Sequence, residues 1–223
     1  MNKIRNAVPL LAAAILLMAL TSAAQTRNFA QWDNDMKAFA ADDAKAPPPK
    51  GSILFIGSSS IRMWATLAAD FPDKKVINRG FGGSQIADST HFAEQIVFPY
   101  EPKMIVMYAG DNDLQDGKTP QQVFDDYKAF VEKVRTKLPK TPIAYIAIKP
   151  SPSRAALMPN AKMTNNLIRE YSTKKRKLAF IDIYTPMLGT DGQPRKELFL
   201  ADKLHMNAQG YALWKGVVAK YLK

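Results

Sequence analysis

The 223-residue chain has no cysteine and only two histidines, His91 and His205. The first absence excludes disulfides, thiol nucleophiles and cysteine metal sites. It does not argue against export, because a chain of this length buries enough surface to hold together without covalent staples. The scarcity of histidine leaves no histidine pair at metal-ligand spacing, and no second carboxylate cluster is spaced to make up for it. Internal repeats and low-complexity stretches are also missing. The dinucleotide spacing G-x-G-x-x-G and the phosphate loop G-x-x-x-x-G-K-[ST] do not occur, so neither motif points to a bound nucleotide.

Hydrophobic residues make up 47% of the chain and charged residues 23%, the balance of a soluble globular protein. The length suits one domain. The formal net charge is +11. Its longest basic run, Lys174-Lys175-Arg176-Lys177, falls at the expected C-terminal end of a helix, where cations are favoured. It is read as a solvated face, with no nucleic-acid partner. Lys3 and Arg5 precede an apolar run from Ala7 to Leu20, and Thr21-Ser22-Ala23-Ala24 supplies small residues. Residues 1–24 therefore read as a signal peptide, and the mature chain as exported, periplasmic or secreted. An uncleaved anchor is the alternative, but the run is short against the roughly 20 residues a span needs. No stable membrane insertion is expected after cleavage.

Residues 25–49 are expected to form a helix with a proline-rich linker, packed outside the main domain. Phe29, Trp32, Met36 and Phe39 stand at helical spacing, and Pro47-Pro48-Pro49 ends the helix. Residues 50–223 then alternate strands and helices. Continuous apolar runs occur at Ile53–Ile56, Lys75–Asn78, Met104–Tyr108, Ile143–Ile148 and Leu178–Ile183. Such runs suit strands covered on both faces. Helical periodicity appears between Val123 and Leu138, between Met163 and Tyr171, and between Tyr211 and Tyr221. Five strands alternating with helices predict a parallel, doubly wound α/β sheet.

Ligands of such sheets bind beyond the carboxyl ends of the strands. The loop Gly57-Ser58-Ser59-Ser60 follows the first strand and opens a helix. A serine there has its N–H at a positive helix end, although glycine and serine are also ordinary turn residues. Asn78-Arg79-Gly80-Phe81-Gly82-Gly83-Ser84 allows close backbone approach. Gly110-Asp111-Asn112-Asp113 brings a neutral amide donor that can bind an oxyanion. His205 lies three residues after Asp202, so one turn can seat the carboxylate on the imidazole and leave the other nitrogen free to take a serine proton. Asn207 is placed to cap the last helix. His91 reads as structural. Trp64, Phe81, Tyr108 and the Lys149–Arg154 loop are candidates to line a substrate pocket, with core packing as the alternative.

These blocks resemble those of the SGNH hydrolases, also called GDSL esterases and lipases. Gly57-Ser58-Ser59 is similar to the nucleophile block, Gly82-Gly83-Ser84 to the glycine block, Gly110-Asp111-Asn112-Asp113 to G-x-N-D, and Asp202-Lys203-Leu204-His205 to D-x-x-H. The resemblance spans roughly residues 50–223. It implies a three-layer flavodoxin-like fold with strand order 2-1-3-4-5. It also implies Ser59 as nucleophile, His205 as base and Asp202 as its orienter. The oxyanion hole would be the N–H groups of Ser59 and Gly83 and the amide of Asn112. One departure stands out, since the usual aspartate before the nucleophile is Ser58. The activity implied is hydrolysis of small-molecule, lipid or glycan esters without metal or cofactor. Alternatives are acyl transfer to or from a glycan, and a glycan-binding module without catalysis.

Overall fold

The computed structural model describes residues 27–222. The expected signal peptide lies outside them. A short 3-10 turn, Phe29–Trp32, leads into α1 (Asp33–Lys45). The elements that follow are β1 (Ile53–Gly57), α2 (Ser59–Arg62), α3 (Leu67–Asp70), β2 (Val76–Gly80), α4 (Ile86–His91), α5 (Ala93–Ile96), β3 (Met104–Tyr108) and α6 (Asp111–Gln115). They continue with α7 (Pro120–Lys137), β4 (Ile143–Ile146), α8 (Met158–Lys174), β5 (Leu178–Ile181) and α9 (Ala208–Val218).

All neighbouring strands pair in parallel, and their order is β2-β1-β3-β4-β5. Side chains alternate between the two faces of the sheet. Leu54, Ile56, Ile105, Met107, Ile143 and Tyr145 join the core under α1, α4, α5, α7 and α8. Ile53, Phe55, Val106, Tyr108, Ala144 and Ile146 join the core under α2, α3 and α9. Because helices cover both faces, β1, β3, β4 and β5 are continuously apolar, whereas β2 carries Asn78 and Arg79. This is the three-layer flavodoxin-like α/β architecture expected from the sequence.

Two of the long helices start at a side-chain cap. Thr119 caps α7 by accepting from Gln122 N, Gln122 answers in a capping box, and Pro120 takes the first turn, where its missing N–H costs nothing. Asn207 caps α9 by accepting from the N–H groups of Gln209 and Gly210. Strand β2 outruns its apolar stretch into Arg79. That guanidinium is 8% exposed and is satisfied by Tyr100 Oη at 2.7 Å and by Asp43 of α1. The chain crosses from β1 to α2 at Gly57, whose φ is +130° and whose position would put a Cβ 1.9 Å from the Tyr108 carbonyl. Only glycine fits there.

Candidate active site

The post-strand loops gather at the carboxyl edge of the sheet, and Ser59 stands first in α2. The three serines of the first loop separate cleanly in the fold. Ser58 and Ser60 are buried, with hydroxyls that find no partner among the described residues. Ser59 is half-exposed, and its Oγ lies 3.0 Å from His205 Nε2. As the first helical residue, Ser59 has an N–H with no intrahelical acceptor. Since α2 is a single turn, the local N–H matters here rather than a long helix dipole.

His205 is presented by a tight reverse turn. Leu200 N–H donates to His205 O at 2.8 Å, Lys203 N–H donates to Leu200 O at 2.9 Å, and Phe199 bridges Met206 in antiparallel fashion. Lys203 takes the left-handed conformation at φ 58° to close the turn. Asp202 uses one carboxylate oxygen to accept the N–H groups of Leu204 and His205, each at 2.9 Å. Its other oxygen is 2.6 Å from His205 Nδ1. The hydrogen bond from His205, then that from the Leu204 N–H, holds the Asp202 carboxyl down to about 2. Asp202 therefore stays ionised across the neutral range and can orient the ring and stabilise an imidazolium.

In the glycine loop, Gly83 sits at φ +73° with open space where a side chain would be. Its N–H has no acceptor among the described residues. The glycine loop is fixed from two sides. Trp32 Nε1 donates to Gly82 O at 2.9 Å, and Ser84 Oγ donates to Phe81 O at 2.9 Å. Asn112, in the first turn of α6, donates through Nδ2 to Ser84 O at 3.0 Å. An amide carries two N–H bonds, so one remains for a ligand. Contacts join Asp202, His205 and Ser59 in one line, and Asn112 is joined to the glycine loop through Ser84 O.

Two residues take supporting roles that the sequence did not assign to them, although Arg154 stood in the Lys149–Arg154 loop named as a candidate pocket lining. Arg154 donates through Nη2 to Asn112 Oδ1 at 2.9 Å, and its Nη1 lies 3.1 Å from Asp111 Oδ2. This contact fixes which end of the Asn112 amide faces outward. Asp111 in turn is paired with the fully buried Lys149 at 3.0 Å. Burial pushes the Asp111 carboxyl up, but the charges of Lys149 and Arg154 outweigh it and leave it below its ordinary value. Trp32 is the second. The N-terminal segment was expected to pack outside the domain, yet it reaches the glycine loop. No local pattern could have revealed either contact, since they join residues 42 and 50 positions apart.

The aromatic candidates for a substrate pocket are corrected by the fold. Trp64, Phe81 and Tyr108 are at most 1% exposed and belong to the core. Trp64 packs edge-on against Phe55 and Phe71 and donates to Asp70 Oδ2 at 2.7 Å. Phe81 packs against Trp32 and Phe92. Tyr108 contacts Trp214, and its hydroxyl meets Asp111 and Lys149. Burying an aromatic stabilises the fold by a few kcal/mol, so these rings serve packing before any ligand could reach them. His91 likewise stacks on Phe29 at 3.8 Å, away from the triad. Among the described residues no group of His, Asp or Glu is arranged to hold a metal ion.

Two clefts lie near the reverse turn that carries His205, one linked to it only through Ser153 and the other lined by residues of the turn itself. One, of about 690 Å³, is lined by Pro152, Thr190, Asp191, Gln193, Arg195 and Glu197. Its Pro152 side is tied to the turn by Ser153 N–H donating to Lys203 O at 3.1 Å. The other, of about 530 Å³, is more apolar and is lined by Met63, Leu200, Met206, Ala208 and Tyr211.

Comparison with known proteins agrees with the fold. The chain resembles a Streptococcus pneumonia protein named for platelet activating factor, with a TM-score of 0.77 and 19% identity, covering 87% of this chain and 94% of that one. It resembles a GDSL-like lipase from Bacteroides thetaiotaomicron at a TM-score of 0.71 and 20% identity, covering 87% and 98%. A mutant of an acetyl-xylooligosaccharide esterase from Geobacillus Stearmophilus gives a TM-score of 0.62 at 12% identity, covering 78% and 94%. At these identities the likeness is one of fold. No curated relative matches the chain. The model of the GDSL-like lipase/acylhydrolase family matches residues 54–213, more than half of the chain, and the chain belongs to that family.

Proposed function

We propose that the chain is an exported serine esterase that hydrolyses small carboxylic esters through Ser59, His205 and Asp202. The observation that carries the reading is the line of contacts from Asp202 Oδ2 to His205 Nδ1 at 2.6 Å and from His205 Nε2 to Ser59 Oγ at 3.0 Å. Both distances lie within reach for proton transfer in a positioned nucleophile–base pair.

In this mechanism His205 Nε2 takes the Ser59 proton as Oγ attacks the ester carbonyl. Negative charge develops on the carbonyl oxygen, which the N–H groups of Ser59 and Gly83 and the free N–H of Asn112 would receive. His205 then passes its proton to the leaving alcohol, giving an acyl-enzyme and free alcohol. Water, deprotonated by His205, attacks the acyl group, and Ser59 leaves with the proton restored. The test is Ser59→Ala assayed with p-nitrophenyl acetate. Turnover should fall by several orders of magnitude with the fold intact. A variant as active as the unaltered chain would reject the assignment.

A second reading is favoured by the cleft beside Pro152. Its lining of Thr190, Asp191, Gln193, Arg195 and Glu197 offers hydrogen-bonding groups suited to a carbohydrate alcohol. The enzyme would then be a glycan O-acetyl esterase, or an acyltransferase if a sugar hydroxyl replaces water. Acetate release from an acetylated oligosaccharide, followed with and without a sugar acceptor, separates these from simple ester hydrolysis.

A further inference from the structure

In a parallel sheet all strands enter from one edge, which is here the pole opposite Ser59. The segments entering the five strands, residues 50–52, 73–75, 101–103, 139–142 and 175–177, hold eight basic residues against two acidic ones. Each of the five segments carries at least one lysine. Their net charge of +6 is more than half of the +11 of the whole chain. The opposite edge differs. Loops 58–60, 81–85, 109–113, 147–154, 182–184 and 199–207 hold three basic and four acidic residues. The molecule is therefore polarised along its strands.

The basic pole surrounds an apolar cleft of about 430 Å³. Met104, Ile143 and Leu178 line it, and Lys103, Lys177 and Lys220 stand around it. All three lysines are exposed. The Lys177 ammonium donates to Lys140 O at 2.7 Å. Lys50 is paired with Glu101, but among the described residues Lys103, Lys177 and Lys220 have no carboxylate partner. The N-terminal ends of β3, β4 and β5 thus hold uncompensated cations around an apolar floor.

We propose that this pole docks on the anionic surface of a lipid bilayer, with headgroups on the lysines and the first methylenes of an acyl chain over the cleft. Acidic polysaccharide or nucleic acid would satisfy the charge but not the apolar floor. Docking by this face turns the Ser59 edge toward solvent, since the two lie at opposite ends of the strands. A lysine near an anionic surface changes partitioning about fivefold, so removing three should weaken binding roughly 100-fold.

The test is flotation of the full chain with vesicles of phosphatidylcholine alone and with phosphatidylglycerol added, at moderate and high salt. Residues 1–26, with Lys3 and Arg5, are common to every variant, so the difference between the two triple variants is free of any contribution they make. The proposal expects salt-sensitive binding to the anionic vesicles, reduced 30- to 300-fold in the triple variant Lys103→Gln, Lys177→Gln, Lys220→Gln. Control substitutions Lys128→Gln, Lys133→Gln and Lys162→Gln, which remove the same charge elsewhere, should leave binding within about threefold. Ester turnover should be unchanged in both. Equal loss in the two triple variants would overturn the proposal in favour of unspecific net charge. Retention on dextran sulfate with no preference for anionic vesicles would overturn it in favour of an acidic polysaccharide.

Discussion

Replacing Arg154 with methionine keeps the bulk of the side chain and removes its charge and its donors. Asn112 then loses the hydrogen bond from Nη2 to Oδ1 at 2.9 Å and keeps only its own donation to Ser84 O. A hydrogen bond from a charged donor contributes about 1.5–3 kcal/mol, and losing an oxyanion donor outright costs about 10²–10³ in kcat. The amide in Arg154→Met is misplaced only part of the time, so kcat should fall roughly 10- to 100-fold with little change in KM. Asp111 keeps Lys149 at 3.0 Å, which limits the damage to the fold. The decisive assay is a double-mutant cycle with Asn112→Ala on p-nitrophenyl acetate. If Arg154 acts through Asn112, adding Arg154→Met to Asn112→Ala should cost less than about threefold further. Fully additive losses, or a KM effect with kcat unchanged, would refute the positioning role. Absence of turnover in the unaltered chain would instead refute the esterase reading itself.

Three further outcomes follow from the same geometry. Trp32→Phe removes the hydrogen bond to Gly82 O and part of the ring packing against Phe81. It should lower kcat about 2- to 10-fold by loosening the glycine loop, and an unchanged kcat would show the loop is held without it. Burial raises the Asp113 carboxyl to about 7. The folded chain then holds a proton that the unfolded chain releases near pH 4, so this group makes stability fall as pH rises from about 4 to 7. Asp113→Asn should flatten that slope of Tm against pH, and an identical slope would contradict the assignment. Ser58→Ala deletes a buried hydroxyl without a partner, so Tm should hold or rise and kcat stay within a few fold; a large loss of stability would mean the hydroxyl is bonded after all.

The strands were legible because both faces are covered. An apolar run such as Ile53–Ile56 has no solvent side to interrupt it, and β1, β3 and β4 are buried at every position. Strand β2 was read too short because Arg79 looks like a terminator until Tyr100 and Asp43 are seen to satisfy it. The site blocks were legible because each needs its own residue type at a fixed place on the sheet edge: a glycine at Gly57, an amide at Asn112, an imidazole three residues past a carboxylate. Which of three adjacent serines is the nucleophile was not fixed by local sequence, since it depends on where His205 arrives from 146 positions away. The aromatic candidates failed for a related reason. Phe81 follows β2, Tyr108 ends β3 and Trp64 follows α2, but all three side chains turn inward to fill the two cores.

The most direct measurement of the central claim is covalent labelling with a fluorophosphonate, mapped by peptide mass on the unaltered chain and on Ser58→Ala, Ser59→Ala and Ser60→Ala. A hydroxyl 3.0 Å from His205 Nε2 should be the only activated nucleophile. The probe should therefore mark Ser59 in every chain except Ser59→Ala, and nothing in that one. Labelling of Ser58 or Ser60, or a folded chain that takes no label at all, would contradict the account.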